Sequence, residues 1–329
     1  MRLLKFAAWA CLWVVALVCA LWAFGAIYFD FPIATLRIAA ASLFALLLLG
    51  ALIFVPGKIR KLGICLAGFA LVLCWWLTLK PSNDRAWQPD VAQTGWAEKD
   101  GDIVTVHNVR NCDYRTQDDF TPHWETRVVD LSKITGMTLA INYWGSPWMA
   151  HPIVSFCFAD ALPLCFSIET RKVVGQTYST VGGLYRQYAL TYIAADERDA
   201  IRVRTNYRHE DVYLYRMLAS PAQARELFLE YIDTMNTMRD HPRWYNAITT
   251  NCTTSIRTQR PANERLPWDW RLLLNGKADE LLYQRHVIAT GGLGFAELKQ
   301  RSLINEPARA ADQAPDFSKL IRAVLPQTN

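Results

Sequence analysis

The sequence predicts an α+β domain carried behind three membrane-spanning helices. The prediction rests on three apolar runs within residues 1–80, alternating polar and apolar segments between residues 102 and 216, and one capped amphipathic helix after them.

The apolar runs come first. Leu3 to Phe29 holds no charge except Lys5, Ile33 to Val55 none except Arg37, and the third run extends from Leu62 to Leu79. Each approaches or exceeds the roughly 20 residues that a helix needs to cross a hydrocarbon core about 30 Å thick. Arg2 and Lys5 precede the first run, and Lys58, Arg60 and Lys61 fill the second loop, whereas Asp30-Phe31-Pro32 carries neither Lys nor Arg. The positive-inside rule therefore puts the N-terminus and the second loop in the cytoplasm and everything after Lys80 on the far side. A signal peptide is the competing reading of the first run, but the run is long for one and two further spans would hold the chain in the membrane regardless. A charge inside a span is a functional candidate by default; Arg37, near a helix end, is expected to snorkel to the interface. Residues 1–80 thus read as an anchor and 81–329 as a second region, entered through Pro81-Ser82-Asn83-Asp84.

The 329 residues carry a formal charge of +5, part of it in the membrane flanks, which makes no case for nucleic acid. The region after Lys80 is ample for a buried core and shows no repeat or low-complexity stretch. Strands are predicted at Asp102 to Val109, Arg127 to Leu131, Ile153 to Phe158, Leu164 to Ile168, Leu190 to Ile193, Ala200 to Arg204 and Val212 to Arg216. Arg202, Arg204 and Arg208 are expected on a solvated strand face with ion pairs to Asp199, Glu210 and Asp211, with contact to lipid phosphates as the alternative. Ser220-Pro221 opens a helix whose Leu227, Phe228, Tyr231, Ile232 and Met235 recur at helical spacing, running to about Met238. Pro261 to Pro267 should break the chain, after which Trp268 to Leu274 reads as an apolar helical stretch that packs on the core by default or covers an acyl pocket. Gly291-Gly292-Leu293-Gly294 lacks the context of a phosphate loop.

Two segments carry chemistry. His151, in Trp148-Met149-Ala150-His151-Pro152, opens a predicted strand, and Ala159 to Pro163 reads as the turn into the next one. A hairpin centred on Ala161 would set Cys157 opposite Cys165 and Ile153 opposite Glu169, with His151, Cys157, Cys165 and Glu169 on one face. Glu169 could then hold the imidazole by one ring nitrogen; a one-residue slip would reverse the face. Cys252, in Thr250-Asn251-Cys252-Thr253-Thr254, suits a helix N-terminus, where free backbone N–H groups stabilise a thiolate and an oxyanion. The expected chemistry has His151 taking the thiol proton and Cys252 attacking a carbonyl, with Asn251, Trp148 and Tyr245 beside the substrate. Against it stands the ordinary reading of a lone His and a lone Cys as core or surface residues.

Asn142 to Pro152, Phe166 to Lys172, Ala195 to Asp199, and Trp244 to Thr254 resemble the Lnb N-terminal periplasmic domain family, as do Asn108 to Arg115 and Asp118 to Pro122. The likeness spans about residues 100–260. It implies a circularly permuted papain-like fold related to the NlpC cell-wall peptidases, in which histidine precedes cysteine, as it does here. It further implies lipoprotein N-acylation, with Cys252 as the thioester-forming nucleophile and His151 as base. The expected partners are a phospholipid acyl donor, a lipoprotein or other amine acceptor, and the bacterial inner membrane, with the domain in the periplasm. Peptide hydrolysis of the NlpC type and a non-catalytic envelope assembly module remain open beside it.

Of the eight cysteines, Cys11, Cys19, Cys65 and Cys74 lie in the spans and act as small apolar side chains. The hairpin nominates Cys157–Cys165 as a disulfide and leaves Cys112 over. No HExxH, CxxC or close His pair supports a metal, and no cofactor is expected.

Overall fold

The structure, a computed structural model, describes residues 2–259, 265 and 267–326. It divides into two compact units: residues up to Ser82 with Tyr178–Tyr188 and Trp244–Ala247, and the remainder.

The first unit contains α1 (Arg2–Asp30), α2 (Arg37–Phe54) and α3 (Lys58–Thr78), and all three helices are long and apolar enough to cross a membrane. Ala23 and Ala26 of α1 let α3 approach closely, and Trp22 stands edge-on to Phe69 and Trp76. At the end of α1 the Asp30 carboxylate accepts from Trp76 Nε1 (2.7 Å), the Arg186 backbone N–H (3.0 Å) and Gln187 Nε2 (2.9 Å). Arg37 donates to the Phe31 carbonyl at 3.0 Å, which satisfies its head group at the helix start. Tyr185 stacks on Phe29 and occupies the space that a side chain on Gly25 would need. Tyr245 belongs to this unit, where its N–H donates to the Tyr188 carbonyl at 2.9 Å.

The second unit is built on a sheet of β1 (Trp96–Asp100), β2 (Ile103–Arg110), β5 (Trp124–Asp130), β6 (Ile134–Tyr143), β7 (Ala150–Phe158), β8 (Leu164–Arg171), β9 (Ala189–Asp196) and β10 (Asp211–Arg216). A two-residue pair, β3 (Asp113–Tyr114) and β4 (Phe120–Thr121), stands apart. The main order is β1-β2-β9-β8-β7-β6-β10, with β5 also on β2; β2 and β9 run parallel and the other pairs antiparallel. Helices follow: α4 (Glu197–Ala200), α5 (Pro221–Asp240), α6 (Cys252–Gln259), α7 (Ala278–Gln284), α8 (Phe295–Arg301), α9 (Asn305–Ala310) and α10 (Phe317–Leu320). The Pro261–Pro267 break lies mostly outside the described residues.

Alternation along the strands separates two cores. On one face Phe156, Phe158 and Phe166 meet Phe228 of α5, and Tyr231 adds a further ring. The α5 start is closed by a capping box in which Ser220 and Gln223 exchange hydrogen bonds. On the other face Ile153, Cys165, Ile193, Val212 and Leu214 pack against Ile304, Ala308, Phe317 and Ile321.

Three local expectations are corrected. Ala200 to Arg204 is helical, not a strand: Asp196 caps α4 through the Arg198 N–H and a π-turn spans Val203–Tyr207. Arg202 and Arg204 are buried rather than solvated, because each ends on backbone carbonyls and carboxylates, which alternation of Ile and Val with Arg does not reveal. The segment after Trp268 forms short 3₁₀ turns at Trp270–Leu272 and Asn275–Lys277, and Trp268 and Trp270 stay 58% and 52% exposed instead of entering the core.

Truncating the fully buried Phe228 to Ala should lower the unfolding free energy by about 3–5 kcal/mol, measured by denaturant unfolding of the solubilised chain. A loss under about 0.5 kcal/mol, the usual size of a surface substitution, would place the ring outside the core.

Candidate active site

His151 stands near the start of β7, and the hairpin with β8 pairs Ile153 with Ser167, Val154 with Phe166, Ser155 with Cys165 and Phe156 with Leu164. This register differs by two residues from the expected one. Because the pleat repeats every two residues, the slip keeps each side chain on its expected face. It nonetheless sets Cys165 against Ser155 instead of Cys157, and both cysteines are free thiols; Cys165 Sγ donates to the Ala195 carbonyl. The Cys157–Cys165 disulfide is therefore absent. Cys112 is also free, and burial with the nearby Asp199 charge pushes its thiol up to about 12.

The same register aligns a polar chain: His151 Nε2 lies 2.7 Å from Ser167 Oγ, which donates to Glu169 Oε1 at 2.9 Å. Glu169 thus reaches the imidazole through Ser167 rather than directly. Burial alone would raise the Glu169 carboxyl, but Arg110 and Arg204, at 3.4 and 3.2 Å, hold it well below the usual range. An ionised carboxylate only accepts, so the one Ser167 hydrogen goes to Glu169 and Ser167 accepts from His151 Nε2–H. That assigns the tautomer: Nδ1 keeps its lone pair and has no hydrogen bond within the described protein. Burial, then the Arg204 cation, lower the His151 pKa to about 3 against a smaller opposing pull from Glu169, so the ring is neutral at pH 7.

Cys252 is the first residue of α6. Asn251 caps the helix with Oδ1, accepting from the N–H groups of Thr253 (3.1 Å) and Thr254 (2.9 Å). Two of the donors expected to stabilise a thiolate are therefore engaged by the cap, and Cys252 N–H alone of the three makes no hydrogen bond to another described residue. Burial raises the Cys252 pKa from 9.0, with weaker opposing contributions from Thr253, the local backbone and the Asn275 amide. At rest Cys252 is a thiol, not a thiolate.

Asn275, which sequence reasoning missed, connects the two halves. Its Oδ1 accepts from the Ala150 N–H at 2.8 Å, while Nδ2 donates to Thr253 Oγ1 at 2.9 Å and lies 3.6 Å from Cys252 Sγ. It can do so because the β7–β8 ladder stops at Ile153 and Ser167, leaving the Ala150 N–H unclaimed by β8. The adjoining turn grips the chain before His151: Gly276 N–H donates to the Trp148 carbonyl at 3.0 Å, and Lys277 sits over the Trp148 ring. A Cβ on Gly276 would stand 2.3 Å from the Pro147 carbonyl oxygen, so only glycine fits. The Asn-Gly pair was legible as a turn; the strand opening it fills was not.

The imidazole and the thiol are not hydrogen-bonded. Strand parity puts His151 with Ser167 and Glu169 on the face carrying the C-terminal helices, whereas Cys252 acts electrostatically on Tyr231 of α5, on the other face. Helix α6 packs against both β7 and β8. Trp148 is 48% exposed, and Leu273 and Leu274, leading into Asn275, are also exposed.

Residues 120–276 match the model of the Lnb N-terminal periplasmic domain. That stretch is similar to the Lnb N-terminal periplasmic domain. The matched stretch takes in His151, Ser167, Glu169, Cys252 and Asn275, and leaves Asn108 to Arg115 outside. No curated protein and no solved structure matches the chain. The match and the three apolar helices together support a membrane-associated protein with a periplasmic domain.

Alkylation of Cys252 by iodoacetamide should accelerate with rising pH through and beyond 9, without the neutral-pH plateau of a preformed thiolate–imidazolium pair. A plateau between pH 5 and 8 would overturn the neutral resting state. Stability has a matching sign. His151 binds a proton near pH 6.5 when unfolded but only near 3 when folded, so its contribution is complete above 6.5 and lost as pH falls toward 3. His151→Gln should flatten the acid-side decline in melting temperature; an unchanged decline would refute the assignment.

Proposed function

We propose that the chain is a membrane-anchored thiol acyltransferase, moving a fatty acyl group from a phospholipid through a Cys252 thioester to the N-terminal amine of a lipoprotein. The observation that carries it is the thiol at the head of α6, tied by one amide to the strand of a neutral histidine whose Nδ1 lone pair is unspent. The Lnb domain match and the exposed Trp148, Trp268, Trp270, Leu273 and Leu274 support a fatty rather than a peptidic acyl group.

Cys252 Sγ attacks the ester carbonyl carbon as its proton passes to His151 Nδ1, directly or through one water, when substrate closes the opening between β7 and β8. The carbonyl electron pair moves to oxygen. Collapse breaks the ester C–O bond; the lysophospholipid alkoxide leaves with the His151 proton and the thioester remains. An amine then attacks the thioester carbonyl, loses its proton through His151, and expels the Cys252 thiolate, which is reprotonated. The net change is ester plus amine to alcohol plus amide. Ser167 and ionised Glu169 hold the Nε2–H tautomer and favour the transient imidazolium. A membrane anchor on the same chain raises the effective concentration of lipid donors.

Intact-mass analysis of the full chain incubated with phospholipid vesicles tests this. The expected result is a fatty-acyl adduct that hydroxylamine removes, that fails to form as a thioester on Cys252→Ser, and that is strongly reduced in His151→Ala. Turnover of peptidoglycan fragments without any lipid adduct would replace the proposal with peptide hydrolysis.

A further inference from the structure

Attack on a carbonyl places negative charge on its oxygen, and a buried site must meet that charge with preorganised donors. The helix N-terminus alone does not suffice here, because Asn251 Oδ1 occupies the N–H groups of Thr253 and Thr254. Besides the Thr253 hydroxyl, 3.8 Å from Sγ, two donors remain beside the sulfur. One is the Cys252 N–H. The other is the Asn275 amide, whose nitrogen lies 3.6 Å from Sγ.

The orientation of that amide is not arbitrary. Ala150 N–H is a donor, so the Asn275 atom 2.8 Å from it is the oxygen, and the nitrogen necessarily turns toward Cys252. One amide hydrogen bonds Thr253 Oγ1 at 2.9 Å, which locks the plane. The second donates to the sulfur at 3.6 Å, and because a thiol sulfur is only a weak acceptor, a carbonyl oxyanion can draw it away. The backbone beneath is equally constrained, since Gly276 lies against the Pro147–Met149 chain and Gly276 N–H is bound to the Trp148 carbonyl.

We infer that the Asn275 side-chain amide and the Cys252 backbone N–H form the oxyanion hole of the Cys252 acyl-transfer reaction. The inference rests on the proposed acyl chemistry and adds a catalytic residue to it. When Sγ bonds the acyl carbon, the electron pair displaced to oxygen accepts from Asn275 Nδ2 and Cys252 N–H; it returns to carbon when the leaving group departs. Neither donor gives up its proton, so nothing else need be supplied.

Two reactions of the same sulfur separate this role from a structural one. Acylation by the 4-nitrophenyl ester of a fatty acid passes through an oxyanion, whereas alkylation by iodoacetamide does not. In the full chain in detergent, Asn275→Ala should slow Cys252 acylation by about 10²–10³-fold, the usual cost of one oxyanion donor. The limiting alkylation rate, taken where the thiol is fully ionised, should stay near that of the natural chain. Asn275→Asp, which keeps an acceptor for Ala150 N–H but removes the donor, should show the same split. Equal losses in both reactions for both variants would assign Asn275 a purely structural role, and unchanged acylation would remove it from the site. If the natural chain forms no acyl adduct at Cys252, the acyl-transfer reading itself fails and takes the oxyanion hole with it; an adduct with no effect of Asn275 defeats only the latter.

Discussion

The site depends on a carboxylate kept ionised inside the protein. Glu169 lies in β8 with Arg110 and Arg204 against it, and Arg110 also pairs with fully buried Asp199. Removing either arginine would leave a charge without compensation, a loss far larger than any exposed ion pair contributes. The consequence extends along the polar chain. With Glu169 ionised, Ser167 must donate to it, His151 must present Nε2–H to Ser167, and Nδ1 keeps its lone pair. Charges on β2, β8 and the turn after α4 thereby decide the protonation pattern of one ring.

The second constraint is the parting of β7 from β8. A continuous ladder would have drawn Ala150 N–H into the sheet; its end after Ile153 and Ser167 lets a side chain from a distant turn take that donor. Asn275 satisfies the backbone and reaches the head of α6 in the same step. This makes the opening a structural element and not a defect. It also explains why a thiol and an imidazole from opposite faces of one sheet can belong to one site while remaining neutral at rest: among the described residues no cation stands against the sulfur, and burial governs it.

Much of the frame was legible because its causes are local. The three apolar runs, the Ser220-Pro221 helix start, the alternation in β2 and the short apolar stretches of β7, β8, β9 and β10 each follow from neighbours in the chain. Strand β6 escaped, although like the predicted β9 it is buried almost throughout. Ala200 to Arg204 misled because buried arginines, satisfied by remote partners, imitate the polar half of a strand pattern. The hairpin register erred by two residues, which cost the disulfide but kept His151, Ser167 and Glu169 together, since faces depend only on parity.

What the sequence by itself determined was the anchor, the α+β character, and the order of histidine before cysteine on a strand and a helix start, all consequences of composition and spacing along the chain. Tertiary structure decided the rest: Ser167 between His151 and Glu169, the thiol's neutrality, and Asn275 in the opening between two strands. The physical reason is that hydrogen-bond partners, buried charge and desolvation are set by groups tens to more than a hundred positions apart, and no local pattern records which of them meet.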